Sequence, residues 1–310
     1  MRRTRITDQL TFFEPDNMRA FKACAGVMVR GTRKLAIDTS MGAATIPMLL
    51  EEKPSAALIS HYHLDHSLWG IDVLAHTDAE VWVPSGEDRY LTDRQFFLDQ
   101  TAGPHGLADS WRRFSVDECG FHGLTNCNTY DAGNSFSDNS ITIECIDTRG
   151  HSPAHCSFYF PADKVLFTGD LGVDRFGPWF GWTDCDLEVL VMSILVLRGL
   201  PVDILLTSHG GMMTSGIRDA WDLALARLLG RETIVAEGME KGLSPEAIVA
   251  KGIFFPQKKG VPEPMRSFLT MWDRNMFDHH RKMIEAGGLK QFFPELNAVL
   301  PGSAIRKESM

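Results

Sequence analysis

A cluster of metal-ligating side chains follows an apolar segment early in the chain. The sequence reads ALISHYHLDHSLWG over residues 57–70 and contains His61, His63, Asp65 and His66. Residues i and i+2 of an extended chain point to the same side, so we predict that His61 and His63 hold one ion together. Asp65 and His66 fall beyond the bend and are predicted to address a second ion nearby. This layout is typical of a two-metal hydrolytic site.

A purely structural role for this cluster is disfavoured, because each buried imidazole would need its own hydrogen-bond partners. The pattern His-x-His-x-Asp-His resembles the signature of the metallo-β-lactamase superfamily, and in particular its glyoxalase II, lactonase and thioesterase-like branches. The resemblance implies an α/β fold, an αββα sandwich in which two sheets are covered by helices. It also implies a metal-dependent hydrolase.

Further segments match the superfamily pattern in the same order along the chain. By this resemblance Asp38 of IDTS forms hydrogen bonds to the ligands and does not bind an ion itself. His151 of TRGHSPAH is the third protein ligand of the first ion. Asp170 of FTGD is the carboxylate that bridges both ions, and His209 of LLTSHGG completes the second site. His155, also in TRGHSPAH, is interpreted instead as a hydrogen-bonding or packing residue at the start of a strand.

The resemblance thus implies a site for two divalent metal ions. Imidazole and carboxylate ligands without cysteine suit zinc, which we expect, and also iron or manganese. Asp65 and Asp170 are the expected catalytic carboxylates. The complete ligand set is His61, His63, Asp65, His66, His151, Asp170 and His209.

The expected reaction follows from the two ions. A hydroxide shared by two cations forms near neutral pH, so no side-chain nucleophile is required. We predict that this metal-bridging hydroxide cleaves a carbonyl ester, a thioester or a lactone. Three alternatives stay open: a phosphodiesterase or nuclease of the same fold, an iron-dependent sulfur dioxygenase, and a regulatory protein that retains the metal site. The oxygen-reducing di-iron branch is disfavoured, because it has a glutamate where this chain has His63.

An aromatic loop directly after Asp170 is a candidate substrate-binding wall. Its sequence is LGVDRFGPWFGW, residues 171–182. This number of aromatic rings must be buried in the core, against a partner or against a ligand. Two interpretations stay open: the rings pack in the core, or they form a wall of the substrate pocket. A wall of this kind would favour an apolar or aromatic group on the substrate. The four aromatic residues are Phe176, Trp179, Phe180 and Trp182.

Strands and helices alternate through the first two thirds of the chain. Residues 43–52, 67–75 and 186–198 are predicted to be helices. Residues 101–140 are rich in Gly, Pro, Asn and Ser and are predicted to form a long irregular excursion. Apolar runs rich in β-forming residues predict strands at 25–29, 34–37, 56–60, 80–83, 141–146, 156–160, 164–167 and 203–206.

The chain changes character after residue 215, where no convincing strand remains. We predict a catalytic domain over residues 1–215 and a helical segment over residues 216–310. The apolar stripes of this segment must be covered, and we expect it to roof the active site and to contribute to a homodimer. Its helices are predicted near residues 218–230, 244–251, 264–286 and 289.

Two pairs of adjacent polar residues lie in the helical segment, His279-His280 and Lys258-Lys259. Neighbouring residues on a helix do not share a face. We therefore expect both pairs on solvated surface.

Composition and charge limit the class of partner. The formal net charge of −9 repels phosphate backbones, so we expect a small-molecule substrate and no nucleic acid. No apolar run is long enough to span a bilayer, and no apolar segment of a secretion signal follows the N-terminal arginines. Six cysteines without Cys-x-x-Cys spacing are typical of reduced thiols. A cytoplasmic protein is therefore expected.

Overall fold

The structure of the chain is a computed structural model that describes residues 1–17, 22–138, 140–174, 177–256 and 258–299. The chain forms two compact units. The second unit includes residues 171–199, which precede the boundary expected near residue 215. The first unit contains Met1–Arg149, Pro153–Asp170 and Leu200–Ile217, and the second contains Gly150–Ser152, Leu171–Gly199 and Arg218–Met310.

Two β-sheets form the centre of the first unit. Within the described residues one sheet has seven strands in sequence order, and the other has six in the order β13-β12-β11-β10-β9-β8. The strands of the first sheet are β1 (Arg2–Arg5), β2 (Leu10–Glu14), β3 (Gly26–Arg30), β4 (Lys34–Ile37), β5 (Ala56–Leu58), β6 (Glu80–Pro84) and β7 (Asn128–Tyr130). Those of the second are β8 (Ser135–Ser137), β9 (Thr142–Asp147), β10 (Cys156–Phe160), β11 (Val165–Phe167), β12 (Ile204–Thr207) and β13 (Gly211–Met213).

The two sheets share one apolar core. Phe12 and Val27 contribute to it from the first sheet, and Phe158, Phe167 and Leu206 contribute from the second. All five side chains are buried. Burial of each such side chain stabilises the fold by about 1.5–3 kcal/mol. The core therefore holds the sheets together from both sides.

Parallel strands place several of the candidate ligands. Strands β4 and β5 are parallel, and so are β11 and β12, which means that the carboxyl ends within each pair meet at one sheet edge. Asp38 follows β4 and His61 follows β5, whereas Asp170 follows β11 and His209 follows β12. Strand ends are therefore the elements that position these side chains.

The helices of the first unit occupy connections between strands. Residues 101–140, expected to be irregular, in fact contain a helix, a π-helical turn at Arg113–Glu118 and strands β7 and β8. That expectation is wrong because the Gly, Pro and Asn residues mark short turns between these elements. The helices are α1 (Thr45–Glu52), α2 (Leu64–His76), α3 (Asp88–Thr92), α4 (Arg94–Gln100) and α5 (Ala108–Arg112).

The second unit is helical, and its described residues contain no strand. Within the described residues no strand follows β13, as predicted for the segment after residue 215. Asp186 caps the first helix of the second unit by accepting a hydrogen bond from Val189 N at 3.0 Å. None of the helices in the described ranges has the length and apolarity needed to cross a membrane. The helices are α6 (Leu187–Arg198), α7 (Ile217–Glu240), α8 (Pro245–Lys251), α9 (Met265–Glu285) and α10 (Leu289–Phe292).

The prediction of solvated surface is wrong for His279, His280 and Lys258. His279 is half-buried and contacts the carbonyl oxygen of Trp182. His280 is fully buried, because it lies on the same face of α9 as the buried Met276 and Met283. Lys258 is largely buried and pairs with the buried carboxylate of Asp273. Adjacent residues point in different directions on a helix, so His280 can face the core, whereas Lys258 lies in the connection between α8 and α9.

Candidate metal centre

His61 and His63 form a pair of imidazoles directly after β5. His61 Nε2 and His63 Nδ1 are 3.0 Å apart, and both rings are buried. Nitrogens bound tetrahedrally to one zinc ion at about 2.0–2.1 Å would be about 3.3 Å apart. Ser60 Oγ contacts the other ring nitrogen of His61 at 2.9 Å. The pair thus points two nitrogens at a common position, as expected for ligands of one ion.

A second group in the first unit combines two carboxylates and two imidazoles. One ligand atom from each of Asp65, His66, Asp170 and His209 lies within 4.8 Å of the others. His209 Nε2 is 3.0 Å from Asp65 Oδ2 and 3.4 Å from Asp170 Oδ1. His66 Nε2 is 3.2 Å from Asp170 Oδ1. The structure therefore brings together the four residues expected around the second ion.

The electrostatics of this group favour a positive charge at its centre. Burial lowers the pKa of His66, but Cys24 and the carboxylate of Asp170 raise it, and the pKa lies well above its usual value. Burial raises the pKa of Asp170, but His209 and His66 lower it to well below the usual range. A bound cation would compensate the charge of the carboxylates in this group.

Asp38 connects the second group to the strand end behind it. Its Oδ2 is 2.8 Å from His66 Nδ1, and its Oδ1 accepts a hydrogen bond from Ser60 N at 2.8 Å. This contact holds the proton of His66 on Nδ1 and directs Nε2 towards Asp170. Asp38 has a φ of 46°, a left-handed conformation that costs about 1–3 kcal/mol in a residue other than glycine.

His155 contacts the backbone of a candidate ligand. Asp170 N donates a hydrogen bond to His155 Nε2 at 3.1 Å, and His155 Nδ1 is 2.8 Å from Thr148 Oγ1. The hydrogen-bonding role expected for His155 is therefore directed at Asp170. Gly169 has a φ of 59°, and a Cβ atom there would lie 2.5 Å from His155 Nε2. A larger residue in place of this glycine of FTGD would therefore clash with the His155 ring.

His151 belongs to the short stretch Gly150–Ser152 of the second unit. Its ring is buried, and Nδ1 lies 2.8 Å from the carbonyl oxygen of Trp179. A carbonyl oxygen only accepts hydrogen bonds, so the proton resides on Nδ1 and the lone pair on Nε2. This is the tautomer that a histidine needs in order to bind a metal ion through Nε2.

The aromatic loop is only partly suited to contact a substrate. Phe180 and Trp182 are buried, and the Phe180 ring lies 5.4 Å from that of His280, which supports core packing for these two residues. Trp179 is half-buried, and its ring lies 5.6 Å from that of His151. Phe176 lies outside the described residues.

Side chains of α7 and α9 hold the backbone of this loop. Arg231 donates to the carbonyl oxygen of Pro178, and Asn275 Nδ2 donates to that of Gly181 at 2.7 Å. His279 Nε2 donates to that of Trp182 at 3.0 Å. Burial, together with the nearby Arg227, lowers the pKa of Arg231 to about 9. The carbonyl oxygen of Pro178 is a hydrogen-bond acceptor for this buried cation.

Glu87, in the first unit, contacts the loops of candidate ligands but was not predicted from the sequence. Its carboxylate is fully buried and accepts hydrogen bonds from the amides of Tyr62 and Ala154. No motif can mark such a residue, because any amino acid except proline supplies a backbone amide.

Comparison with known proteins agrees with this fold. The sequence profile of the metallo-beta-lactamase superfamily matches residues 23–209, more than half of the chain. The chain therefore belongs to the metallo-β-lactamase superfamily. The predictions of this superfamily, of its αββα fold with a C-terminal helical region, and of a metal-dependent hydrolase are confirmed.

Individual relatives are distant. The chain is 27% identical to hydroxyacylglutathione hydrolase GloC of Haemophilus influenzae over 172 residues, covering 51% of this chain and 70% of that protein. It is 28% identical to probable metallo-hydrolase YflN of Bacillus subtilis over 179 residues, covering 51% and 65%. A beta-lactamase domain protein from Burkholderia ambifaria has a similar structure, with a TM-score of 0.69, 17% identity, and coverage of 92% of this chain and 88% of that one.

Proposed function

We propose that this chain is a two-metal hydrolase of a carbonyl ester, a thioester or a lactone. The observation that carries the proposal is the convergence of Asp65, His66, Asp170 and His209 within 4.8 Å. Two carboxylates and two imidazoles fit a divalent zinc, iron or manganese ion. Their mutual charge compensation supports a cation at the centre of the group.

We propose a first ion between His61 and His63, with His151 as its third protein ligand. The 3.0 Å separation of the His61 and His63 nitrogens supports the pair. The Nδ1 contact of His151 with Trp179 O supports Nε2 as the ligating atom. The position of His151 in TRGHSPAH supports its inclusion.

Bound metal ions supply a water molecule that ionises near neutral pH and a Lewis acid for the substrate carbonyl. Asp170 Oδ1 lies 3.2 Å from His66 Nε2 and 3.4 Å from His209 Nε2, so it would be a ligand of the second ion. Its position in FTGD supports the proposal that it would also reach the first ion. Asp65 Oδ2 lies 3.0 Å from His209 Nε2 and is proposed to orient the attacking water. Asp38 and His155 hold His66 and Asp170 in place.

The proposed substrate carries an apolar or aromatic group near the reacting carbonyl. The half-buried ring of Trp179 beside His151 supports this, with Trp182 and Trp272 packed behind it at ring distances of 6.1 and 5.8 Å. The relative named a hydroxyacylglutathione hydrolase supports an acyl thioester among the three carbonyl classes. Zinc, a homodimer, a cytoplasmic location, the absence of a nucleic-acid partner and the roof formed by residues 216–310 remain predictions.

Metal analysis combined with a substrate screen tests the proposal. We expect about two ions per chain, and hydrolysis of aryl esters, thioesters or lactones that a chelator abolishes and added metal restores. If the protein cleaves only bis-p-nitrophenyl phosphate, its substrate is a phosphodiester and not a carbonyl compound. Full activity in a metal-free preparation would overturn the whole proposal.

A further inference from the structure

Glu87 is a buried carboxylate in the first unit. It occupies the position directly before α3, where a short polar side chain usually caps the helix, but its side chain makes no capping hydrogen bond. Burial of a carboxylate is costly unless hydrogen bonds compensate it. The partners of Glu87 therefore indicate its role.

The two oxygens of Glu87 contact two different candidate ligand loops. Oε2 accepts a hydrogen bond from Tyr62 N at 2.6 Å, and Tyr62 stands between His61 and His63. Oε1 accepts one from Ala154 N at 2.8 Å, directly before His155. These partners are 25 and 67 residues away along the chain. One carboxylate thus joins the two loops.

Helix α3 holds Tyr62 by its side chain as well. The rings of Tyr62 and Tyr90 are stacked with centroids 4.1 Å apart, and Tyr90 lies in α3 shortly after Glu87. Both rings are buried. The residue between His61 and His63 is therefore fixed at its backbone by Glu87 and at its ring by Tyr90.

We infer that Glu87 is a positioning residue for the first metal ion. By holding the backbone of Tyr62, it keeps the His61 and His63 nitrogens in the separation that one ion needs before the ion binds. When the ligands are already held in place, metal binding does not include the free-energy cost of ordering the loop. This inference rests on the proposed function, because it assumes an ion at His61 and His63.

A carboxylate suits this position better than an amide. Both partners are N–H donors, and a carboxylate accepts on both oxygens. In Glu87→Gln the amide oxygen can satisfy only one donor, and the NH2 group faces the other N–H. The substitution therefore preserves size but releases one of the two loops.

The experiment compares Glu87→Gln with Glu52→Gln. Glu52 is also buried in the first unit, but its ion-pair partners are the side chains of Arg3, Arg30 and Lys34. Metal affinity is measured by competition with a chelator, and ligand geometry by the visible spectrum of the cobalt(II) protein. We expect Glu87→Gln to bind one of the two ions about tenfold more weakly, with an altered cobalt spectrum. We expect Glu52→Gln to change only the melting temperature.

Each other outcome has a defined meaning. If the wild-type chain binds no metal, the proposed function fails. If the wild type binds metal and Glu87→Gln keeps its affinity and cobalt spectrum, Glu87 only stabilises the fold and the inference is overturned. If Glu87→Gln does not fold, Glu87→Asp replaces it, because the shorter side chain keeps the charge but cannot reach both amides. Wild-type affinity and spectrum in Glu87→Asp would likewise overturn the inference.

Discussion

The backbone amide of Asp170 donates a hydrogen bond to Nε2 of His155 at 3.1 Å. This bond fixes the backbone at Asp170, the proposed bridging residue, in the segment that follows β11. His155 is buried and in turn contacts Thr148 Oγ1, so its ring orientation is set by the protein. A histidine that follows His151 in the same motif therefore acts on a different candidate ligand.

Replacement of His155 by leucine removes the acceptor for Asp170 N and leaves a buried amide without its partner. We expect the ion at Asp65, His66, Asp170 and His209 to bind about tenfold more weakly, and kcat to fall more than KM rises. Titration with metal and steady-state kinetics measure both effects. His122→Leu, at an exposed histidine, is the control and should behave as the wild type.

Asp170→Asn tests the bridging carboxylate. The variant loses the charge that faces His66 and His209, so we expect one ion per chain instead of two. Loss of several kcal/mol of stabilisation by the ion corresponds to a fall in turnover of about a hundredfold or more. Asp203→Asn, at a surface carboxylate paired with Lys164, should keep both ions. Unchanged metal content in Asp170→Asn would show that another carboxylate bridges the ions.

Trp179 and Phe180 are neighbours with different burial, and alanine substitutions should separate their roles. Trp179→Ala should change the ratio of kcat/KM between aromatic and small acyl groups by about tenfold while metal content stays constant. Phe180→Ala opens a cavity in the core and should lower the free energy of unfolding by about 3–5 kcal/mol. Equal losses on all substrates in Trp179→Ala would instead assign that ring to core packing.

Acid should destabilise the chain through His280. Burial, together with the nearby Arg231 and His279, lowers the pKa of His280 to about 3, whereas the unfolded chain titrates near 6.5. Between these values the unfolded state binds the extra proton, so stability rises with pH in this window and falls on acidification. The difference between wild type and His280→Leu should change by about 1.4 kcal/mol per pH unit between pH 6 and pH 4. Denaturant unfolding at several pH values measures it, and parallel pH profiles would contradict the prediction.

Local patterns in the sequence were sufficient for most elements of the fold. The apolar runs that predicted β10 and β4 coincide with these strands, and the helical spacing that predicted α9 is within one residue of its ends. Strands and helices of this kind bury one face or both, and burial leaves a periodic trace in the sequence. Short or exposed elements leave little trace, and β1, α3 and α4 were not predicted for that reason.

The candidate ligands could also be predicted from the residue types and spacing in the sequence, because only a few kinds of side chain bind a metal ion. Only the tertiary structure revealed that Glu87 joins the loops of Tyr62 and Ala154, that His155 contacts Asp170, and that His280 is buried. These contacts join residues far apart along the chain through backbone amides or packed faces. A backbone amide is nearly the same at every residue, so only the folded chain determines which one a side chain meets.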